Sequence, residues 1–309
     1  MRFAVMGTGG AGGYFGARLA EAGHDVTFVA RGAHLAAIRE HGLRVESVKG
    51  DVTVKPANAT GDPAMVGVVD YVLLGVKAWQ VAEAARAIAP AVGPETAVLP
   101  LQNGIEAPDQ IASAVGREHA LGGTAKIISF LVAPGHIKHT GADPTLEIGE
   151  LDRTASARVE RLKQAFAKAT AVTVVLPPDI LVAMWTKFLF IASASGSAVS
   201  RVPLGPMREP PETRQLVTSA MQEIERVARA RGIELAPDAV AGAMAFLDSL
   251  PATGTTSMQR DVAEGRPSEL ESLSGAVTRL GIASGVATPT HTFVHHALLP
   301  LERRARGLG

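Results

Sequence analysis

Residues 2–31, RFAVMGTGGAGGYFGARLAEAGHDVTFVAR, constrain the fold more than any other stretch of this chain. The run Arg2–Met6 is short and apolar, as a buried parallel strand requires. It stops at Gly7-Thr8-Gly9-Gly10-Ala11-Gly12, which fits G-x-G-x-x-G. Each glycine of the pattern has a mechanical task. Gly7 allows the tight turn, Gly9 lets backbone N–H groups approach a pyrophosphate, and Gly12 lets the helix sit close on the sheet. The pyrophosphate would lie at the positive helix N-terminus, with Thr8, Gly10 and Ala11 around it. Ala17, Leu19 and Ala20 give the following helix an apolar face, Gly23 stands where a C′ glycine belongs, and Asp25–Ala30 read as the next strand. The whole is a phosphate-binding βαβ unit.

Cofactor choice is read at the end of that second strand, where an NAD-binding protein usually carries an Asp or Glu for the ribose hydroxyls. Here the residues are Val29, Ala30, Arg31 and Gly32. The Arg31 guanidinium can instead pair with a 2′-phosphate, so NADP(H) is the expected cofactor, with His34 as a helper.

Lys plus Arg equals Asp plus Glu at 30 each, so no net field draws the chain to nucleic acid or anionic lipid. With no cysteine, disulfides, thiol catalysis and cysteine-ligated metal are excluded. Met1 and Arg2 run straight into the first strand; no signal peptide is expected, and the expected location is the cytoplasm. Ile180–Val199, ILVAMWTKFLFIASASGSAV, has the length of a membrane span. Its central Lys187 would cost about 3 kcal/mol on insertion scales. A buried helix explains the segment better and makes its single lysine conspicuous.

The chain exceeds one ordinary domain at 309 residues, and 47% apolar content supplies sizeable cores. Strand and helix patterns alternate to about residue 177. Tyr71–Val76 and Ala97–Leu101 read as buried strands, Val81–Ala91 as a helix, and Thr145–Ile148 and Val172–Leu176 as later strands. Ala133–Asp143 reads as a loop. After Pro177-Pro178 the β signals almost vanish, and the punctuation becomes helical. Pro210-Pro211 precedes Glu212–Arg231, Gly232 follows it, Pro237 opens the next helix, and Thr288-Pro289 is an N-cap followed by Pro at N1. The expectation is an α/β Rossmann-type dinucleotide-binding domain over residues 1–177, then an all-α domain over 178–309 for substrate and dimer contacts.

The pieces GTGGAGGYFGARLAEAGHDVTFVARG, VLLGVKAWQV, LQNG, WTKFLF, and SMQRDVAEGRPSELESLSGAV with the later GVATPT follow one another in this order. In them the chain resembles the ketopantoate reductases (2-dehydropantoate 2-reductases) over nearly its whole length. The resemblance implies NADPH-dependent reduction of a 2-keto acid to a 2-hydroxy acid in a cleft between the two domains. In the named case the product is pantoate, a precursor of pantothenate and coenzyme A.

Hydride transfer to a ketone leaves an alkoxide, so the site needs a proton donor. Lys187, in an apolar helix where desolvation favours its neutral form, is that candidate, and the resemblance places the family's general acid there. Asn103 follows a strand in Gln102-Asn103-Gly104, at the edge where ligands meet an open parallel sheet. Asn-Gly is equally a common turn pair. The resemblance gives Asn103 contacts to both cofactor and substrate, assigns Lys77 and Gln80 to the cofactor, places Glu269 near the nicotinamide ribose, and makes Ser257 a substrate ligand.

One departure falls in the substrate pocket. Family members usually carry Asn four and often eight residues after the lysine; here those positions hold Ile191 and Ser195. An Ile cannot hydrogen-bond a carboxylate or hydroxyl, and losing such a bond can cost several kcal/mol. Reduction of a more apolar 2-keto acid therefore stays beside ketopantoate as a reading. A β-hydroxyacid dehydrogenase-like enzyme and a non-catalytic NADP(H)-binding protein are the further alternatives. His295-His296 are adjacent on a presumed helix and cannot share a face, so no metal site is expected. A homodimer contact would lie in the helical half.

Overall fold

Strand β1 (Arg2–Met6) buries every residue after Arg2, and its side chains alternate between two cores. Phe3 and Val5 enter one apolar cluster, Ala4 and Met6 another. The same alternation sends Tyr71 and Leu73 to the first cluster and Val72 and Leu74 to the second, as a parallel sheet covered on both faces demands. The structure, a computed structural model, describes residues 1–308; Gly309, the end of the expected second domain, lies outside them.

The remaining strands are β2 (Asp25–Val29), β3 (Leu43–Ser47), β4 (Val52–Val54), β5 (Asn58–Thr60) and β6 (Val69–Leu74). They are followed by β7 (Val92–Pro100), β8 (Leu121–Ala133), β9 (His136–Glu150) and β10 (Thr173–Val175). A parallel five-stranded sheet runs in the order β5-β2-β1-β6-β7. The chain steps outward from β1 on one side and returns to β6 on the other, so the order reverses beside β1, where open α/β sheets bind ligands. Phe15 and Leu19 of the helix Gly10–Glu21 enter the first core, and Val81, Ala85 and Ile88 of the helix Val81–Ile88 enter the second. A second sheet has the order β10-β9-β3-β4, with β8 antiparallel to β9.

The chain divides into two compact units. One is Met1–Gln102 with Ala107–Ile180; the other is Asn103–Glu106 with Leu181–Gly309. The short Asn103–Glu106 segment clusters with the helices for visible reasons. Ile105 packs against their core, and the Arg279 guanidinium donates to Glu106 Oε2 at 2.9 Å. The helical unit is built from Ile180–Ala194, Pro211–Ala230, Ala239–Ser249, Ser257–Ala263, Ser274–Ser284 and Pro289–Ala305, among shorter turns. Val217, Met221, Ile224 and Ala228 form the buried stripe of the helix Pro211–Ala230 at helical spacing. Gly232, at φ +75°, follows its end.

An α/β parallel-sheet domain followed by a helical domain is thus the architecture, with three local corrections. Ala133–Asp143 is not a loop: a turn at Pro134-Gly135 leads directly into β9, which pairs with β8 over most of its length. With Ile137 as the one large apolar side chain in 136–143, the segment has no strand period of its own to read, and its register comes from its neighbours. Val81–Ala91 stops being α-helical at Ile88 and finishes as a 3₁₀ turn. Thr288 does not cap with its side chain; the buried Glu223 carboxylate of another helix accepts the N–H groups of Thr290 and His291 at 2.8 and 3.0 Å. Ile180–Ser200 is long and apolar enough to cross a membrane by length and composition, and 56% of its most apolar window is buried inside the protein.

Candidate active site

In the first unit, β1 ends at the glycine turn and the turn opens the helix Gly10–Glu21. Gly7 sits at φ +95°, and a Cβ there would fall 2.7 Å from Val76. A Cβ on Gly12 would lie 2.2 Å from the Gly7 carbonyl, so only glycine lets the helix start this close to the strand. Its neighbour across the gap is Gly75, whose own Cβ would meet Gly12 Cα at 2.7 Å, a requirement that no local sequence pattern displays. Gly10 faces the Ser129 carbonyl of β8, 2.4 Å from where a Cβ would stand. Gly9 is different. A Cβ there would meet no protein atom within 4 Å, so protein packing does not require this glycine. A concave turn of backbone at a helix N-terminus, with the one unhindered glycine facing outward, fits the pyrophosphate of a dinucleotide.

Thr8 is buried, and its Oγ1 donates to the Val29 carbonyl at 3.0 Å, which ties the turn to the end of β2. Val29 is the register partner of Met6, so Arg31 stands exposed beside this turn. His34 corrects an expectation. Its Nδ1 accepts the Gly135 N–H at 2.9 Å, which leaves Nε2 as the donor to the Thr8 carbonyl at 2.7 Å. Both ring nitrogens are occupied in holding the turn, and neither is free to assist a phosphate.

Lys77 and Gln80 lie just past β6, both exposed. The Gln80 side-chain oxygen accepts the Lys77 N–H at 3.3 Å and so closes its own 3₁₀ turn, while Lys77 Nζ stands 5.8 Å from the centre of the Trp79 ring. Gln102, two residues past β7, donates through Nε2 to the Leu74 and Val76 carbonyls at 2.6 and 2.9 Å, fixing the strand end that carries Lys77.

In the helical unit, three residues far apart in sequence form one chain of hydrogen bonds. Lys187 Nζ donates to Asn103 Oδ1 at 3.2 Å, and Asn103 Nδ2 donates to Glu269 Oε2 at 3.0 Å. The two partners set the amide orientation, because a flipped Asn103 would face donor to ammonium and oxygen to carboxylate. Gly104 makes the presentation of Asn103 possible: it sits at φ +100°, and its Cβ would crowd the Ser272 carbonyl at 3.0 Å. Asn103-Gly104 is thus a turn that presents the Asn103 side chain to two partners. Glu269 is 94% buried, against 6% exposed, and Lys187 is half-buried midway along its helix.

Ile191 is half-buried one helical turn beyond Lys187 and presents only hydrocarbon. Ser195 is not brought to an accessible surface: it is fully buried just past the helix Ile180–Ala194, and its hydroxyl donates to the Ala192 carbonyl in that helix's last turn. Ser257 is the first residue of the helix Ser257–Ala263, half-buried, with Thr256 capping that helix through its hydroxyl at 3.1 Å from the Gln259 N–H. His291 and His295 lie one turn apart, but His291 donates to the Ala220 carbonyl and His295 pairs with Glu271 at 2.9 Å. Among the described residues no group of three or more His, Asp and Glu is arranged to hold a metal ion.

Two family models match the chain: ketopantoate reductase PanE/ApbA over residues 3–153, and its C-terminal counterpart over residues 179–302. An uncharacterized oxidoreductase, YkpB of Bacillus subtilis, is 30% identical over 98% of this chain and 99% of its own. The 2-dehydropantoate 2-reductase of Nostoc sp. is 30% identical over 99% and 96%. Among solved structures, a PanE/ApbA family ketopantoate reductase from Ralstonia eutropha JMP134 superposes with a TM-score of 0.89 at 30% identity, covering 99% of this chain and 100% of that one.

Proposed function

The chain belongs to the ketopantoate reductase family of oxidoreductases acting on CH–OH groups, and from that premise we propose that it reduces a 2-keto acid to a 2-hydroxy acid at the expense of NADPH, with Lys187 as general acid. The observation that carries the proposal is the Lys187–Asn103–Glu269 chain.

The nicotinamide cofactor, when bound, supplies the hydride. The protein has to hold that cofactor, orient the keto acid and deliver one proton to the oxygen that becomes the hydroxyl. Gly7, Thr8, Gly9, Gly10, Ala11 and Gly12 would hold the pyrophosphate, with Lys77 and Gln80 further along the same sheet edge. Arg31, exposed where a carboxylate would select NAD, supports NADP(H). Lys187 has three hydrogens on Nζ. Asn103 Oδ1 accepts one and orients the ammonium, which would stabilise the developing alkoxide and surrender a proton to it. Glu269 keeps the Asn103 amide the right way round for this.

Ketopantoate is the first substrate to test, and Ile191 supports a second reading in which the preferred 2-keto acid has a more apolar side chain. Ser257, at a helix start, is the proposed ligand for the substrate's polar end. Packing of Trp185, Phe188, Leu189 and Ala192 into the helical core supports a core helix rather than a membrane span, and the cytoplasm is the proposed location. The test is NADPH consumption by the purified chain with ketopantoate, a panel of other 2-keto acids and an NADH control. NADPH-preferring turnover of ketopantoate is the expected result. Turnover confined to an apolar 2-keto acid selects the second reading; tight NADPH binding with no turnover of any keto acid overturns both.

A further inference from the structure

Glu302, near the end of the helix Pro289–Ala305, is 3% exposed and faces not a partner on its own surface but the segment that carries Glu269. Its two carboxylate oxygens accept the Ser268 N–H at 3.1 and 3.0 Å, and Oε2 also accepts the Ser268 hydroxyl at 2.6 Å. Arg306 completes the grip: Nε donates to Glu302 Oε1 at 2.6 Å, and Nη2 donates to the Ser268 carbonyl at 3.1 Å. Ser268 is itself wholly buried and adjoins Glu269 in the chain. Both backbone polar groups of Ser268 and its hydroxyl are thus held by one carboxylate–guanidinium pair.

A buried carboxylate is costly unless its lone pairs are filled, and this one is filled by donors from a single residue and one arginine. A structural ion pair could sit anywhere in the helical core. This one sits at the peptide immediately before Glu269, whose carboxylate orients Asn103, whose oxygen receives Lys187 Nζ. We propose that Glu302 is a positioning residue: through Ser268 it sets the direction of the Glu269 carboxylate and, through that, the alignment of Asn103 with Lys187. The idea rests on the function proposed above, but its structural half does not need turnover to be tested. Small displacements of an aligned group reduce the chemical step far more than they reduce binding, of order 100-fold for about 1 Å.

The test compares wild-type protein with Glu302→Gln, which keeps shape but must set an N–H against the Ser268 N–H or Arg306, and with Ser268→Ala, which removes the hydroxyl that donates to Glu302 and accepts the Leu270 N–H at 3.3 Å but keeps the Ser268 backbone bonds to Glu302 and Arg306. Two readouts are taken: kcat and KM for the keto acid, and the side-chain amide resonances of Asn103 in isotopically labelled protein. Expected is a kcat lowered about 10-fold or more in Glu302→Gln with KM changed less than about 2-fold, and Asn103 amide resonances displaced in the same direction as those of Glu269→Gln. Ser268→Ala, the milder change, is expected to displace them in that direction by less, and it decides the matter if Glu302→Gln does not fold. Wild-type positions of the Asn103 resonances in both folded variants overturn the proposal, as does wild-type kcat in Glu302→Gln. A wild-type protein without turnover would sink the reductase reading alone, since the resonances still report whether Glu302 acts on Asn103.

Discussion

Lys187 Nζ stands 3.2 Å from Asn103 Oδ1, although 84 residues separate the two in sequence. The amide oxygen is the one part of the Asn side chain that can receive an ammonium hydrogen, and Glu269, engaging the amide nitrogen at 3.0 Å, commits that oxygen to Lys187.

Replacing Lys187 by Ala is expected to lower kcat by about 100-fold or more, the usual loss when a general acid is removed. NADPH affinity, measured by fluorescence titration, should stay within about 2-fold, because the glycine turn is untouched. Turnover close to wild type would eliminate Lys187 as the acid.

Asn103→Leu keeps the side-chain volume and abolishes both hydrogen bonds. It leaves Glu269, a buried carboxylate, without its amide donor, a loss of about 1–3 kcal/mol or more for a charged group. Lower stability in urea together with a large fall in kcat is the expected pair of results; unchanged kcat would show that the Asn103–Lys187 bond has no part in turnover.

The glycine turn offers a contrast between two substitutions. Gly12→Ala places a Cβ 2.2 Å from the Gly7 carbonyl and should damage both folding and NADPH binding. Gly9→Ala meets no protein atom within 4 Å, so its melting temperature should match wild type while NADPH affinity falls. If Gly9→Ala bound NADPH normally, the turn would not be the pyrophosphate site.

Arg31→Glu removes the proposed partner of the 2′-phosphate and supplies the carboxylate that suits a free ribose. The affinity for NADPH should fall about 10-fold or more, on the scale of a charge-assisted hydrogen bond, while NADH is bound as well as before or better. An unaltered NADPH to NADH ratio would count against NADP(H) selection by Arg31.

His291 predicts a pH effect on stability. Burial pushes its pKa down from 6.5 to about 4, against the opposing pull of Glu223 and of its bond to the Ala220 carbonyl. Between those values the unfolded chain takes up a proton that the folded one refuses, so stability rises with pH through about 4 to 6.5 and then levels. The His291 contribution between pH 5 and pH 7 is on the order of 2 kcal/mol. Urea midpoints of wild type and His291→Gln at the two pH values check it: the variant, which can still donate to the Ala220 carbonyl, should show the smaller pH difference.

Much of this protein is legible in its letters because the relevant signals are local. The βαβ turn, the apolar strands and the helix punctuation each occupy a short window, so period and glycine placement disclose them. Register is not local. Of the strand β9 only Thr145–Ile148 is legible in sequence, while its first half reads as a loop because its register acquires meaning only beside β8 and β3. Gly75 is illegible for the same reason: its need to be glycine comes from Gly12, 63 positions earlier in the chain.

The sequence by itself determined the family, the two-part architecture and the residue types available for hydride-transfer chemistry, since these depend on composition and near-neighbour pattern. Only the tertiary structure decided that Asn103 leaves the strand that precedes it to join the helical unit, that one amide lies between Lys187 and Glu269, and that both nitrogens of His34 are already occupied. Hydrogen bonds act over about 3 Å and have direction, so which groups meet is settled by the packed cores that carry them, and sequence spacing holds no record of it.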